Sequence, residues 1–555
     1  MSNQSTTAAS ADSTVGAEDF KVIAASSVGT IFEWFDFFLY GSMAGVISRH
    51  FFAGVNEVTA FTLALLAFAA GFAVRPFGAL VFGYLGDLWG RKNTFLITLT
   101  LMGAGTFAVG LLPTYAQIGP AAPWILVALR MVQGLSVGGV YGGAAIYVAE
   151  HAPHGRRGFY TSWIQTTATV GMALSLAVIF GTREIVGADD FAAWGWRIPF
   201  LMSALLLTVT MWIQLKLNES PVYKRMKSTG KTSTQPWKDA FGNWKNLRIV
   251  LIALGGAVAG QAVIWYTAQF YVLFFLQRVL KVDDSISSLL VCAALIISTP
   301  LYVFFGWLTD KIGRKKVMMT ACLLAALTYF PLFKMLTAAA NPALSQAVAS
   351  APVVVTVDEN ECSFQFDPIG GKTFSNSCDI VQSFLSRAGV SYNKVDAPAG
   401  TVAELKVGDQ VLPAFKGNEM AAGDLKTARA DWEKQAGAML SAAGYPAKAD
   451  NDKINMGMTL LVLVCIMVFS AMVYGPMAAL LVELFPAKIR YTSMSFPYHV
   501  GTGWLGGFLP TTAFAIVAQT GNMYSGLWYP LIFSLLCFVI GCIWLPETKD
   551  VDIHQ

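Results

Sequence analysis

The chain has 555 residues, of which 55% are apolar and only 13% are charged, and its mean hydropathy is +0.54. This composition excludes an ordinary soluble enzyme, and the small net charge of +4 argues against nucleic-acid binding. We therefore expect a polytopic membrane protein surrounded by the lipid bilayer.

Apolar runs long enough to cross a bilayer as a helix, which takes roughly 20 residues, recur along the chain. Twelve such runs lie near 22–48, 58–82, 94–112, 122–149, 159–181, 195–217, 249–277, 286–308, 317–337, 456–485, 493–519 and 524–545. The predicted fold class is an all-α polytopic membrane protein with twelve transmembrane helices.

An internal repeat groups these helices into two pseudo-symmetric six-helix bundles. The segment 83–92 recurs as 306–315, with Gly, Leu, Asp, Gly, Arg and Lys at matching positions. A second set, Glu150, Pro153 and Arg157, recurs as Glu483, Pro486 and Arg490. Because such internal repeats are typical of transporters, one ancestral half is predicted twice, with about 110 residues inserted late in the second copy.

The predicted organisation follows from the repeat and from the charges of the loops. It comprises a tail at 1–21, a first bundle at 22–217, a connector at 218–247, a second bundle at 248–337 and 456–546, an insertion at 338–455, and a tail at 547–555. Short loops on one side carry the basic residues, which predicts that this side and both termini are cytoplasmic.

The insertion at 338–455 differs from the rest of the chain because it is polar, with ten Lys or Arg and fourteen Asp or Glu. Alternation predicts strands at 353–357 and 362–366, and helices are predicted at 379–388 and 424–443. A small α+β domain between helices nine and ten would lie outside the cytoplasm. There Cys362 and Cys378 would meet an oxidising compartment and form a disulfide.

Charged residues inside the apolar runs mark the candidate site, since each costs several kcal/mol in hydrocarbon unless it is paired or faces a polar cavity. Glu33 and Asp36 lie on one helical face near mid-membrane, and Arg75 and Arg130 lie at similar depth. We predict that one of the two acids, Glu33 or Asp36, carries a proton and that the two arginines bind a substrate carboxylate. The alternative is a structural ion-pair cluster that holds the helices together.

Further substrate-binding candidates have equally simple structural alternatives. Arg197 could attract an anion or anchor its helix at the interface, and the others could line a cavity or serve helix packing. These others are Gln261, Trp265, Gln269, Tyr474 and Tyr498.

Acid and arginine pairs in the repeated loops are predicted to form a gate that holds the two bundles together in one state and releases in the other. The candidates are Asp87, Arg91, Glu150, Arg157, Asp310, Arg314, Glu483 and Arg490. Alternatively, these residues only fix topology. No catalytic set, metal-ligand spacing or phosphate-binding loop is found, so neither an enzyme nor a cofactor is predicted.

Four stretches resemble the metabolite:proton symporter branch of the major facilitator superfamily. They are GTIFEWFDFFLYG at 29–41, RPFG at 75–78, RMVQG at 130–134 and WGWRIPF at 194–200. The branch includes bacterial carriers of 2-oxoglutarate, citrate, shikimate, and proline or betaine. The resemblance implies proton-driven uptake across the bacterial inner membrane by two rocking bundles. Where the branch commonly has an acid in a Gly-Gly-Glu-x-Gly-Gly motif, this chain has Val140, so no role of that acid carries over.

Three functions remain open at this point. The first is a proton-coupled symporter, acting as a monomer, for a small organic acid or zwitterion. The second is an uncoupled facilitator or exchanger of the same fold. The third is a membrane sensor whose outer domain binds ligand.

Overall fold

The computed structural model describes residues 17–54, 57–216, 218–365 and 374–553. Most of the predicted N-terminal tail and the last two residues therefore lie outside the described ranges. The described part is mainly helical, with one small sheet in the insertion.

The first half of the chain forms six long helices: α1 Ala17–Ser42, α2 Glu57–Trp89, α3 Arg91–Leu111, α4 Ala121–His151, α5 Arg157–Val186 and α6 Arg197–Leu215. Short helices between them are Ala44–Phe51, Tyr115–Ile118, Ala188–Asp190 and the π-helix Phe191–Gly195. The connector to the second half contains Pro221–Ser228 and Pro236–Phe241.

The second half forms α7 Trp244–Val279, α8 Asp284–Ile312, α9 Arg314–Ala340, α12 Met456–Leu484, α13 Ala487–Thr520 and α14 Ser525–Trp544. The insertion between α9 and α12 contributes the helices Pro342–Ser350, α10 Ser377–Ala388 and α11 Ala422–Ala442. Its strands are β1 Val353–Val357, β2 Tyr392–Asp396, β3 Glu404–Val407 and β4 Gln410–Pro413.

Eleven helices of the described chain are long and apolar enough to cross a membrane, namely α2 to α9 and α12 to α14. They coincide with the second to twelfth predicted runs. The first predicted run is divided, because α1 ends at Ser42 and a further helix begins at Ala44. The structure thus has the helices of a multi-pass membrane protein, while a twelfth crossing by α1 stays a prediction.

Glycines allow the helices of the first half to approach closely. A Cβ atom added at Gly78 of α2 would overlap the backbone of Leu135, and one added at Gly138 of α4 would overlap the backbone of Ala79. Small residues at such contacts let helices pack by van der Waals contact where lipid supplies no hydrophobic driving force. The α2–α4 contact brings Arg75 and Arg130 to the same cavity, described below.

Two helices of the second half contain π-helical segments. In α7 these are Leu254–Val258, Thr267–Tyr271 and Phe275–Val279, and in α13 the segment is Val500–Gly506. A π-helical segment shifts the side chains that follow it around the helix and is frequent at functional sites. Both helices face the first half: Trp265 of α7 contacts Trp34 of α1, and Gly503 of α13 lies against α2 at Arg75.

The insertion contains a four-stranded sheet in the order β2-β1-β3-β4. β1 and β2 are parallel and are connected through α10, whereas β3 is antiparallel to both of its neighbours. Val353, Val355 and Val357 are buried in alternation, as a half-buried strand requires. The strand predicted at 362–366 is wrong for the described residues 362–365, because Cys362 is tied to Cys378 and the Ser363 amide donates to Asp379 instead of a neighbouring strand.

The insertion is seated on the second half of the chain. The Tyr392 amide donates to the Gly521 carbonyl at 2.9 Å, and Lys394 Nζ donates to the Gln519 carbonyl at 2.8 Å. Its two ends meet, since the Asn455 amide donates to the Ala339 carbonyl at 2.9 Å. The 27-residue helix α9, which rises about 1.5 Å per residue, separates this insertion face from the opposite end of the helices.

Candidate functional site

A central cavity lies between α1, α2 and α4. It contains all four of the predicted mid-membrane charges, and its lining is Glu33, Asp36, Phe37, Phe68, Gly71, Phe72, Arg75, Arg130, Gln133, Gly134 and Val137. The structure therefore brings together residues that are far apart in sequence at one polar site, as their depth predicted.

One acid of the cavity is held in a hydrogen-bonded network. Asp36 lies 3.4 Å from Arg130 and accepts hydrogen bonds from Thr106 at 2.6 Å and from Gln133 at 3.1 Å. Gln133 in turn accepts from Arg130 at 2.8 Å. Thr106 and Gln133 were missed from the sequence because neither is charged, and only the packing of α3 and α4 against α1 shows their part.

The other acid and arginine are much less constrained. Within the described chain, Glu33 has no hydrogen bond and no ion pair within 4.0 Å, although its side chain is buried. The Arg75 guanidinium lies over the Phe72 ring at 4.4 Å, and its Nε has no partner among the described residues. Arg75 also contacts the Tyr266 hydroxyl of α7 and lies near Glu33, so these two charges are held by fewer bonds than Asp36 and Arg130.

A second cavity lies between the two halves of the chain. It is lined by Phe38, Gln165, Ala168, Thr169, Met172, Trp265, Gln269, Leu295 and Tyr302. Of the predicted cavity-lining candidates, Trp265 and Gln269 thus line a cavity, whereas Gln261 is buried on the same helix with its Oε1 unpartnered in the described structure. α1 contributes to both cavities, through Phe37 to the first and Phe38 to the second.

Tyrosines connect the halves beside these cavities. The rings of Tyr141 and Tyr498 are stacked at 3.9 Å, and the hydroxyls of Tyr498 and Tyr474 lie 2.9 Å apart. The next residue, His499, is 1% exposed, and in the described structure neither of its ring nitrogens has a hydrogen-bond partner. From the sequence, His499 is a plausible lining residue of the second bundle, with a satisfied packing group as the alternative; its two unpartnered ring nitrogens do not fit a satisfied packing group.

Arg197 lies at the start of α6, where its Nη1 donates to the carbonyls of Gly110 and Leu112, both at 2.8 Å. These carbonyls belong to the end of α3, so the contact joins two helix ends. Of the two alternatives for Arg197, this geometry fits the helix anchor.

At the end opposite the insertion, the two halves are joined by matching contacts in which each half contributes the same residue types. We call this set the latch, and its residues are Asp87, Arg91, Glu150, Arg157, Asp310, Arg314, Glu483 and Arg490. Asp87, at the end of α2, accepts hydrogen bonds from the amides of Tyr491 and Thr492 at 3.2 and 2.9 Å and from the Thr492 hydroxyl at 2.8 Å. Asp310, at the end of α8, accepts from the amides of Gly158 and Phe159 at 2.9 and 2.8 Å. Each acid therefore caps a helix N-terminus in the other half of the chain.

Arginines surround these caps in the same reciprocal way. Arg91 lies 3.6 Å from Asp87, and Arg314 lies 2.7 Å from Asp310. Across the halves, Arg490 contacts Glu150 at 2.6 Å and Arg157 contacts Glu483 at 3.6 Å. All eight predicted gating residues thus meet at one closed interface.

Two further acids support the latch loops from within their own halves. Glu219 accepts from the Lys92 amide at the start of α3, and Glu547 accepts from the amides of Arg314 and Lys315 at the start of α9. Gly90 and Gly313 precede these helices with φ values of +105° and +106°. Glu219 and Glu547 thus make equivalent capping contacts in the two halves, and these contacts are visible only in the folded chain.

Comparison with known protein families gives a match over most of the chain. Residues 21–240 and 435–555 match the family described as sugar (and other) transporter, and residues 143–357 match an MFS/sugar transport protein family. The chain belongs to the sugar (and other) transporter family of the major facilitator superfamily. It is a multi-pass membrane transporter and not an enzyme.

Individual relatives agree with this assignment. The transporter is 34% identical to the alpha-ketoglutarate permease of Escherichia coli over 323 residues, which are 58% of this chain and 72% of the permease. It is also 34% identical to a proline/betaine transporter of Salmonella typhimurium over 318 residues, which are 55% of this chain and 63% of that protein.

A solved structure shares the fold of the transporter. It is the major facilitator superfamily proton:xylose symporter XylE bound to 6-bromo-6-deoxy-D-glucose, with a TM-score of 0.61 at 17% identity. The alignment covers 97% of this chain and 98% of XylE. At this level of identity the comparison identifies the architecture of the helices and not the substrate.

Proposed function

We propose that the transporter takes up a small organic acid or zwitterion together with protons, by alternating access between its two halves. The observation that carries this proposal is the Arg75 guanidinium, whose Nε has no partner in the described structure, in the same buried cavity as Glu33, whose carboxyl group has no hydrogen bond there. A buried charge of this kind is expensive and commonly marks a substrate or proton pathway.

The two acids of α1 have different roles in this proposal. Asp36, with Arg130, Thr106 and Gln133, forms a fixed network that holds α1, α3 and α4 together. Glu33 makes no such bonds in the described chain, so it can gain or lose a proton without breaking the network. We therefore assign the proton to Glu33 and the substrate carboxylate to Arg75, whose planar guanidinium can bind both carboxylate oxygens.

The rest of the substrate would enter the second cavity. Trp265 and Tyr302 provide aromatic faces, which suit an apolar or cationic group, and Gln165 and Gln269 provide amides. The substrates named for the two relatives, alpha-ketoglutarate, proline and betaine, all carry a carboxylate. This shared chemistry supports a carboxylate substrate for Arg75 but does not choose between an acid and a zwitterion.

We propose the membrane location and orientation that the sequence predicts. Twelve helices cross the bacterial inner membrane, the latch and both termini face the cytoplasm, and the insertion at 338–455 faces the opposite compartment. The positive residues of the short loops, among them Lys92 and Lys315, support this orientation. The protein acts as a monomer because each polypeptide contains both halves of the proposed site.

Uptake by whole cells tests the proposal. We expect cells that express the transporter to accumulate one of a panel of labelled carboxylates and betaines, and an uncoupler to reduce the accumulation to that of cells with an empty vector. Cells that express Arg75→Ala in the same amount in the membrane are the control for the binding site, and they should not accumulate the substrate.

The alternative functions give different results in the same assay. A facilitator or exchanger would equilibrate the solute equally with and without the uncoupler. A sensor would produce no flux for any member of the panel. Either result would contradict proton-coupled uptake.

A deletion separates the insertion from transport. Since the amide of Asn455 bonds to the carbonyl of Ala339, a short Gly/Ser linker can replace residues 345–450 and keep α9 and α12 in register. We expect the shortened protein to retain part of its uptake rate, because the cavity and the latch lie outside the insertion. Complete loss of uptake, with normal amounts in the membrane, would show that the insertion is part of the transport mechanism.

A further inference from the structure

The insertion contains a disulfide between Cys362 and Cys378 that transport, as proposed above, does not use. Cys362 follows the carboxyl end of β1, and Cys378 is the second residue of α10, the helix that connects β1 to the parallel strand β2. In α/β units, ligands and reactive groups gather at the carboxyl ends of parallel strands, where helix N-termini meet them. The disulfide therefore lies at the end of its βαβ unit where ligands and reactive groups are usually found.

The two sulfur atoms are not equally accessible. Cys378 is 1% exposed, whereas Cys362 is only partly buried. Of the two residues, Cys362 is therefore the one that an external thiolate can approach. Attack on Cys362 would make Cys378 the leaving group.

A buried amide is directed at the leaving sulfur. Gln382, one helical turn after Cys378 and fully buried, places its Nε2 3.0 Å from Cys378 Sγ and 3.5 Å from Cys362 Sγ. Its Oε1 has no partner in the described structure, so the contacts with the two sulfur atoms alone account for the orientation of the amide. An N–H donor and a helix N-terminus both stabilise a thiolate, and a stabilised thiolate leaves faster.

Asp379, the acid next to Cys378, could destabilise a thiolate there if its carboxylate were free, but the carboxylate is hydrogen-bonded. Asp379 accepts hydrogen bonds from the Ser363 amide at 2.8 Å, from the Ser363 hydroxyl, and from Gln365 Nε2 at 2.7 Å. Its carboxylate is thus engaged by the segment that leads from Cys362.

We propose that Cys362 and Cys378 form a thiol–disulfide exchange site, with Cys362 as the attacked sulfur and a dithiol as the reaction partner. A thiolate of the dithiol bonds to Cys362 Sγ, the Cys362–Cys378 bond breaks, and its electron pair remains on Cys378 Sγ. The second thiolate of the dithiol then attacks its own sulfur in the mixed disulfide and releases Cys362. Two electrons and two protons pass from the dithiol, which becomes a disulfide, to the two cysteines.

Reduction of the full-length, folded transporter in lipid nanodiscs tests the proposal, with dithiothreitol as the dithiol and alkylation by a maleimide polymer as the readout. A Cys362→Ser/Cys378→Ser double variant gives the background from the other cysteines. We expect the pair to be reduced without denaturant. In Cys378→Ser, the Cys362 thiol should react with an aromatic disulfide reagent, whereas in Cys362→Ser the Cys378 thiol should react only after unfolding.

Gln382 provides the decisive comparison. We expect Gln382→Leu to slow reduction about tenfold, because the departing thiolate loses its hydrogen-bond donor. The control is Gln410→Leu, which removes an exposed amide of β4 in the same domain and leaves the Asp379 contacts in place, and it should keep the parent rate. Reduction only in denaturant, reaction at Cys378 before Cys362, or equal rates in the two Leu variants would each overturn the proposal and leave a structural disulfide.

Discussion

Asp87→Asn is expected to slow transport about tenfold while changing substrate affinity little, because it breaks the latch and leaves the cavity intact. The Asp87 carboxylate accepts two backbone amides and one hydroxyl at the start of the Arg490–His499 helix in the other half. An asparagine has one acceptor oxygen and no charge, so the closed state loses most of this stabilisation. Initial uptake rates in proteoliposomes and ligand-induced tryptophan fluorescence measure the two quantities separately.

The repeat supplies an internal comparison for this prediction. Asp310→Asn should reproduce the effect, since Asp310 caps the start of α5 in the same way. Asp450→Asn is the matched control, because Asp450 is exposed on the insertion, where its carboxylate contacts Lys453 and the Asp452 amide and nothing in the other half. Normal transport by both latch variants at normal expression would rule out the gate and leave these residues with a role in topology alone.

Glu33→Gln is expected to abolish accumulation against a gradient and to spare substrate counterflow, which needs no net proton movement. The reason is that Glu33 is the carboxyl group of the cavity that has no hydrogen bond in the described chain. Asp36→Asn is the matched comparison, three residues away on the same helix. It should instead lower the melting temperature, because Arg130 would be left buried without its counter-charge, at a cost of about 3 kcal/mol or more.

Uptake under an imposed proton gradient, counterflow under collapsed gradients, and thermal unfolding of purified protein distinguish these outcomes. Arg75→Lys should impair both uptake and counterflow, because a point ammonium cannot reproduce the two-oxygen contact of a guanidinium. If Glu33→Gln and Asp36→Asn both still concentrate the substrate, proton coupling resides elsewhere in the chain. If Asp36→Asn alone loses accumulation while remaining stable, the roles of the two acids are reversed.

The latch and the cavity together connect substrate binding to the movement of the halves. Arg75 lies on α2, which also carries Asp87 at its end, and α2 packs along α13 through Gly83 beside Thr492 and Gly503 beside Arg75. A substrate that draws α13 or α7 toward Arg75 would therefore act on the same helix pair that the latch holds.

The sequence by itself determined the membrane class, the duplication, and the residues that would be buried charges. These conclusions depend on local composition and on spacing: an apolar run of helical length needs no partner to be recognised, and a repeated loop needs only its copy. Glu33, Asp36, Arg75 and Arg130 were found because an ionisable side chain in an apolar run is costly wherever the run packs. The insertion was found for the same reason, from a local change in charge.

Only the tertiary structure decided which buried charges have hydrogen-bond or ion-pair partners and which residues provide them. Thr106 and Gln133 complete the Asp36 network from other helices, so Asp36 and Glu33 look equivalent in sequence and differ in the fold. The caps made by Asp87 and Asp310 cross between the halves, and no local pattern specifies which distant helix start an acid will meet. Likewise, the alternation at 362–366 favoured a strand, but the Cys362–Cys378 bond and the contact of Ser363 with Asp379 prevailed, since long-range bonds override local propensity where both cannot be formed.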